Sequence, residues 1–272
     1  MNIGAMVSDQ VLLSASKRNF DQCVQVAQEQ GLGIEVMTFA FPDVLDGEWK
    51  SLVKAYRAQL RSVPGKLAMH GPFMDMAPGS PDSKINQAVI KRYQQAIQIG
   101  AELGTEVIVF HANFIAAIHT NEYRSAWHTR NVDFWGPMAE FAQQHGVTLA
   151  VENMWEYDPN IIADVLKAIN NLHLRACLDV GHAHLFGEVP FESWLKALEP
   201  LLVHSHMNNN NGKIDVHQAF DNGVLDYHRI LPQLRALSAP PTMTLEMDEV
   251  ESMLSSLKYF QLIASAVEPP EA

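Results

Sequence analysis

The sequence predicts an α/β fold, a (β/α)8 TIM barrel formed as a single domain. Three observations carry this expectation. Short apolar runs rich in β-branched residues recur eight times, each followed by a longer stretch with helical spacing. The 272 residues suit one barrel, since such domains run to about 250 residues. A doubly wound sheet is the rival, but it needs fewer repeats and a glycine-rich phosphate loop after its first strand, and neither fits.

The elements follow in order. The first strand is expected over Ile3–Val7, with a helix from about Ser16 to Gln30. The second strand covers Gly33–Thr38, followed by a helix through Trp49–Leu60. Lys66–His70 is the third, with a helix over Lys84–Leu103, and Glu106–His111 the fourth, with a helix over Ser125–His145. Thr148–Asn153 leads to a helix over Ile161–Ile169, and Arg175–Asp179 to a shorter one near Phe191–Leu198. Leu201–Met207 passes through a polar loop to a helix near Tyr227–Leu237, and Thr242–Met247 precedes the last helix. Gly31, Gly104 and Gly146 stand where left-handed helix C-caps are expected. No linker, repeat or low-complexity segment interrupts the pattern except Asn208–Asn211, which reads as a loop. The barrel is expected to occupy residues 1–266, and the tail Val267–Ala272, with Pro269-Pro270, to fray.

Composition sets outer bounds. With 47% hydrophobic and 18% charged residues, the chain is not intrinsically disordered. Nineteen Lys and Arg against 31 Asp and Glu give a net charge of −12. That balance argues against broad binding to nucleic acid or an anionic membrane, while a local basic patch stays open. Cys23 and Cys177 form no CxxC pair, which suits a reducing cytoplasm. Met1–Ala5 lacks the basic and apolar regions of a secretory signal, and no apolar run approaches the ~18 residues of a spanning helix. The expectation is a cytoplasmic globule, of oligomeric state that the sequence does not specify.

A barrel gathers its chemistry at the C-terminal ends of its strands. There the sequence places His70, His111, Glu152, Asp179, His206 and Glu246, on strands three to eight. Alternation puts Ala68, Val109, Ala150, Cys177 and Thr244 on the same inward face, two residues earlier. Taken singly, a histidine is explained at least as well by an ordinary structural role as by ligation, and for a single Asp or Glu a helix cap or salt bridge is the default. Six together at one mouth would be costly to bury without a cation between them. Mixed imidazoles and carboxylates suit Zn²⁺, Mn²⁺ or Fe²⁺ better than Mg²⁺ or Ca²⁺. His182 and the Asp215-Val216-His217 segment lie in adjoining loops; a D-x-x-H or D-x-H alone is weak evidence.

The segments Met69-His70-Gly71-Pro72, Phe110-His111-Ala112, Val151-Glu152-Asn153, Cys177-Leu178-Asp179-Val180-Gly181-His182, His206-Met207-Asn208, Asp215-Val216-His217 and Leu245-Glu246 together resemble the xylose-isomerase-like barrel superfamily. That superfamily holds endonuclease IV and the sugar phosphate isomerase/epimerase-type proteins, and the resemblance spans nearly the whole chain. By resemblance to endonuclease IV, His70, His111 and Glu152 would hold a first zinc ion. Glu152, Asp179, His206 and Glu246 would hold a second, and His182, Asp215 and His217 a third. In the isomerase and epimerase branch a single metal sits on the positions matching Glu152, Asp179, His206 and Glu246, and the two glutamates exchange protons with the sugar. The resemblance thus implies one to three divalent ions. All nine positions of the three-metal pattern are kept. The segment from His70 to Asp82, however, is similar to the sugar phosphate isomerases, and Asn209 replaces the usual Asp after His-x-Asn of endonuclease IV.

The rim is poor in cations. Asp43, Asp46, Glu48, Glu156 and Asp158 lie on its loops, with Lys17, Arg18, Lys84, Arg124 and Lys213 scattered rather than clustered. A DNA-binding face needs clustered Lys and Arg. The apolar rim residues Phe39, Phe41, Phe73, Phe114, Trp155 and Tyr157 suit a small substrate, though packing against the barrel explains each equally well. His119, His128, His145, His173 and His228 lie away from the strand ends. His184 is intermediate, and His204 shares the inward face with His206 and is placed to bond a ligand side chain. Glu35 and Asn153 stand as open candidates for substrate contact.

The expected function is a metal-dependent isomerase or epimerase of a sugar or sugar phosphate, working through an enediolate with Glu152 and Glu246 as base and acid. Arg124 or Lys213 would meet a phosphate. The alternative is a metal-dependent phosphodiesterase like endonuclease IV, and the third a non-catalytic metal or sugar binder.

Overall fold

In the computed structural model, which describes residues 10–266, eight parallel strands close into a barrel in sequence order. They are β1 Val11–Ala15, β2 Gly33–Val36, β3 Leu67–His70, β4 Val107–His111, β5 Thr148–Glu152, β6 Leu174–Asp179, β7 Leu202–Met207 and β8 Thr242–Leu245. The helices are α1 Phe20–Gln30, α2 Pro42–Asp46, α3 Trp49–Leu60, α4 Ser83–Leu103, α5 Asn121–His145, α6 Asn160–Ile169, α7 Val180–Phe186, α8 Phe191–Leu198, α9 Tyr227–Arg235 and α10 Val250–Ala266. Closure is made by β1 against β8, with Leu12 opposite Thr244. Among the described residues no helix is long and apolar enough to cross a membrane.

The first strand differs from expectation. Ile3–Val7 lies outside the described residues, and the barrel's first position is taken by Val11–Ala15, which pairs with both β2 and β8. The tail expected to fray also lies outside them. Seven strands fall where the apolar runs place them, with ends shifted by one or two residues.

Helix ends obey local rules. Gly31, Gly104 and Gly146 adopt φ of 74°, 83° and 70° and cap α1, α4 and α5 in the left-handed region. Asp82 and Thr120 cap the N-termini of α4 and α5 through their side chains. Two short helices lie where the sequence suggests loops: α2, opened by Pro42, and α7, which follows β6 without a break.

The two faces of the strands bury different things. Outward residues such as Ile108, Phe110 and Leu149 join the large core beneath the helices. Inward, Val109, Ala150 and Cys177 make a small separate cluster that fills the lumen. Cys177 is therefore a compact filler, and its inward parity carries Asp179 to the mouth.

Candidate metal centre

The strand ends deliver their side chains to one place. Donor atoms of Glu152, Asp179, His206 and Glu246 lie within 4.8 Å of one another, and so do those of His70, Glu152 and His206. A further set, His182, Asp215 and His217, meets the same condition beside them. His111 joins through Glu152, its Nε2 standing 3.1 Å from Glu152 Oε2, while His70 Nε2 reaches the same oxygen at 3.4 Å. All nine residues named from the sequence thus stand at one mouth. Glu246 lies one residue past β8, and His206 one residue before the end of β7.

Each group is held by a specific local device. Asp179 is the N-cap of α7, its Oδ1 accepting the His182 amide at 2.6 Å and its Oδ2 accepting from Asn208 Nδ2 at 2.8 Å. Asn153 grips the Asp179 backbone from both sides, donating to its carbonyl and accepting from its amide. Gly181 is required at the first turn of α7, because a Cβ there would collide with Asn208 Oδ1. His182 consequently sits on a helix rather than in the loop that the sequence suggested.

Ring nitrogens are divided between support and site. His70 Nδ1–H donates to the Gly71 carbonyl at 2.7 Å, and His182 Nδ1–H to the Asn153 carbonyl at 3.0 Å. Their Nε2 atoms are left to face Glu152 and Asp215 respectively. This is the division of labour found in metal-binding histidines.

The electrostatics test whether a cation fits. Glu152, Asp179 and His206 are wholly buried and Glu246 is 7% exposed. Of nine buried side-chain N and O atoms without a hydrogen-bond partner among the described residues, four belong here: both oxygens of Glu152, His206 Nδ1 and Glu246 Oε2. Buried polar atoms are normally satisfied, so such a concentration fits a divalent ion with mixed N and O ligands. Burial raises the Glu152 carboxyl, but the His206 and His111 imidazoles outweigh it and hold it well below the usual range. At Glu246 burial prevails and raises the carboxyl, despite His206 and His217. His217 is pushed up to about 9, burial lowering it and Glu246, Asp215 and Asp179 more than offsetting that.

A sequence model of the Xylose isomerase-like TIM barrel family matches residues 24–263. The chain belongs to that family. Its barrel is similar to that of the TTHB071 protein from Thermus thermophilus, from a crystal soaked with zinc chloride. The two are 28% identical with a TM-score of 0.80, over 96% of this chain and 100% of the other. A D-tagatose 3-epimerase-like protein shares the fold at 21% identity and a TM-score of 0.76, covering 94% and 98% of the two chains. The 3-keto-D-glucoside 4-epimerase of E. coli does so at 15% and 0.72, over 93% and 99%. In sequence, the uncharacterized protein MJ1311 of Methanocaldococcus jannaschii is 24% identical over 217 residues, 76% of this chain and 74% of that protein.

In this xylose isomerase-like barrel all nine donor residues except the fully enclosed Asp179 and His206 line a cavity of about 290 Å³, the small end of the range for ligand pockets. Phe41, Phe73, Met37 and Met247 supply apolar wall, and Ser14, Ser16 and Asn19 line its β1 side. Phe39 and Phe114 are core residues instead, and Trp155 and Tyr157 line a separate groove. No Lys or Arg among the described residues lines the cavity. Arg124, expected to meet a phosphate, is held by Asp158 at 3.2 Å and Asp164 at 3.9 Å beside a different depression. Lys213 does not reach the cavity either. Glu156, read as a rim acid, is buried and accepts the Phe114 and Met154 amides, tying together the loops after β4 and β5.

Three asparagines carry structural weight that sequence reading missed. Asn208 holds Asp179, and Asn209 pins its own loop by donating to the Phe220 and Leu225 carbonyls. Asn210 donates to the Gly181 carbonyl. The unbroken run of asparagines after β7 was the available signal. Glu35 and Asn153 do not line the cavity; Glu35 lies beneath His206, wholly buried.

Proposed function

We propose that the protein is a divalent-metal-dependent isomerase or epimerase acting on a small, unphosphorylated sugar. The observation that carries this reading is the convergence of Glu152, Asp179, His206 and Glu246, with four of their buried atoms lacking partners. The epimerase names of the structural neighbours support the sugar class. With no Lys or Arg of the described residues in the lining, a neutral substrate is favoured over a phosphate ester.

Glu152, Asp179, His206 and Glu246 would hold the ion, with zinc, manganese or iron suited to the mixed donors. A bound divalent cation neutralises the carboxylates and polarises substrate oxygens. One glutamate takes the proton from the carbon beside the substrate carbonyl, and the C–H electron pair moves onto the carbonyl oxygen to give an enediolate. The other glutamate returns a proton. Return to the same carbon from the opposite face inverts it; return to the former carbonyl carbon, with the hydroxyl proton of the first carbon passing to the other oxygen, transfers the carbonyl. Glu152 and Glu246, approaching from β5 and from the end of β8, would serve as the base and acid pair. Phe41, Phe73 and Met247 supply the apolar side of the cavity against which the sugar carbons would pack.

One observation favours a second reading. The His182, Asp215 and His217 set is a further compact donor group that a one-metal isomerase does not need, and it suits a multi-metal phosphodiesterase. Parallel assays on a panel of ketoses and on abasic-site duplex DNA at low salt separate the two. Sugar interconversion without DNA nicking is the expected result; metal-dependent nicking with no action on any sugar would overturn the proposal.

A further inference from the structure

Below the donor cluster, toward the barrel interior, lies a buried carboxylate that the proposed chemistry does not use. Glu35, on β2, is wholly enclosed, and so are His204 and His206 on β7. Across the lumen, His204 Nε2 stands 2.9 Å from Glu35 Oε2, and His206 Nε2 stands 3.1 Å from both Glu35 oxygens. Thr242 and Thr244 of β8 hold the His204 ring, through its Nδ1 and Nε2 respectively.

An ionised carboxylate only accepts, so each Nε2 facing it must carry hydrogen. The His206 ring therefore commits Nε2–H to Glu35 and turns Nδ1 to the opposite side. There Nδ1 meets Glu152 Oε1 at 3.2 Å and Glu246 Oε2 at 3.3 Å, without a hydrogen bond to either.

We infer that Glu35 is a positioning residue that keeps the His206 proton on Nε2 and so presents Nδ1 as a metal ligand. His204 serves the same device one step further down, fixing the Glu35 carboxylate with its own Nε2–H. A carboxylate behind a ligating imidazole orients the ring and raises its donor strength, and losing one typically weakens metal affinity by about 10- to 100-fold. The inference rests on the metal reading for its consequence, while the proton placement stands on the hydrogen bonds alone.

Two readouts test it, with Zn²⁺ as the probe. In metal-free protein labelled with ¹⁵N-histidine, two-bond correlations should place a hydrogen-bonded proton on His206 Nε2, with a resonance that moves upfield in Glu35→Gln. The same isosteric variant should bind Zn²⁺ about 10- to 100-fold more weakly with an unchanged circular dichroism spectrum, and Glu35→Asp should recover part of that loss. A wild-type His206 carrying its proton on Nδ1 alone, or Glu35→Gln binding zinc as tightly as wild type, would overturn the inference. Failure of the wild-type protein to bind zinc at all would overturn the metal reading and the role assigned to Glu35 with it. The proton placement on Nε2 would still be judged by the resonance, so the two failures are distinguishable.

Discussion

Glu152 Oε1 stands 3.2 Å from His206 Nδ1 with both atoms buried and no hydrogen bond between them. Two strong polar groups this close, deep in a barrel, are expected to share a proton or a cation. Glu152 Oε2 repeats the arrangement toward His70 and His111. The chemistry assigned to the mouth rests on these unmade bonds.

Asp179 separates metal binding from folding. Its carboxylate caps α7, holds Asn208 and faces the cluster. Asp179→Asn keeps a capping side chain but removes the charge, so it should lose metal while melting near the wild-type temperature. Asp179→Ala should lose metal and about 1 kcal/mol of stability as well. Elemental analysis and thermal melts check both; undiminished metal in either variant would count against the ligand assignment.

Gly181 protects the same contact from the other side. Gly181→Ala places a methyl against Asn208 Oδ1, pushing Asn208 from Asp179. The expected loss is about 1–3 kcal/mol by overpacking, with weaker metal binding. A variant as stable as wild type would show that the loop after β7 yields freely.

Metal stoichiometry discriminates between the two readings of the mouth. One tightly held ion per chain matches the Glu152, Asp179, His206 and Glu246 set alone, and three match all nine donors. His217→Ala should leave the ion on Glu152, Asp179, His206 and Glu246 in place and remove only additional ones, read by elemental analysis at saturating zinc.

Both thiols are buried, and burial pushes Cys23 up to about 12 and Cys177 well above its ordinary value. Native protein should therefore resist a disulfide-exchange reagent at neutral pH, and unfolded protein should titrate two thiols. Rapid reaction of the native chain would contradict the enclosure of Cys177 in the lumen.

Asp158 links acid stability to the α5–α6 surface. Burial raises its carboxyl, but Asn160 and Arg124 outweigh that and hold it below the usual aspartate value. A depressed folded value stabilises above the unfolded pKa of about 3.9 and is lost as pH falls through the folded one. Asp158→Asn should thus narrow the gap in melting temperature between pH 7 and pH 3; an unchanged gap would remove the pair from the stability account.

Much of this was legible in the sequence, and the gaps have physical reasons. His70, His111, Glu152 and Asp179 could be placed because strand parity is local: a small residue two positions earlier marks the inward face. The first strand could not, because Ile3–Val7 and Val11–Ala15 carry equally apolar patterns, and only pairing with β8 decides between them. Helix α7 was hidden because its start depends on the Asp179 cap and on space that Gly181 leaves for Asn208. Glu35 was undecidable because its partners lie about 170 residues away across a closed barrel. The cationic contact expected of Arg124 failed because Asp158, just before α6, and Asp164, on it, claim the guanidinium first.

Solvent deuterium exchange into sugar carbon tests the central claim most directly. With the metal-loaded protein and a ketose that it interconverts, deuterium should enter the carbon beside the carbonyl. That exchange should be lost in both Glu152→Gln and Glu246→Gln, each with its fold verified. Exchange at the wild-type rate in either variant would contradict the assignment of these two glutamates as base and acid.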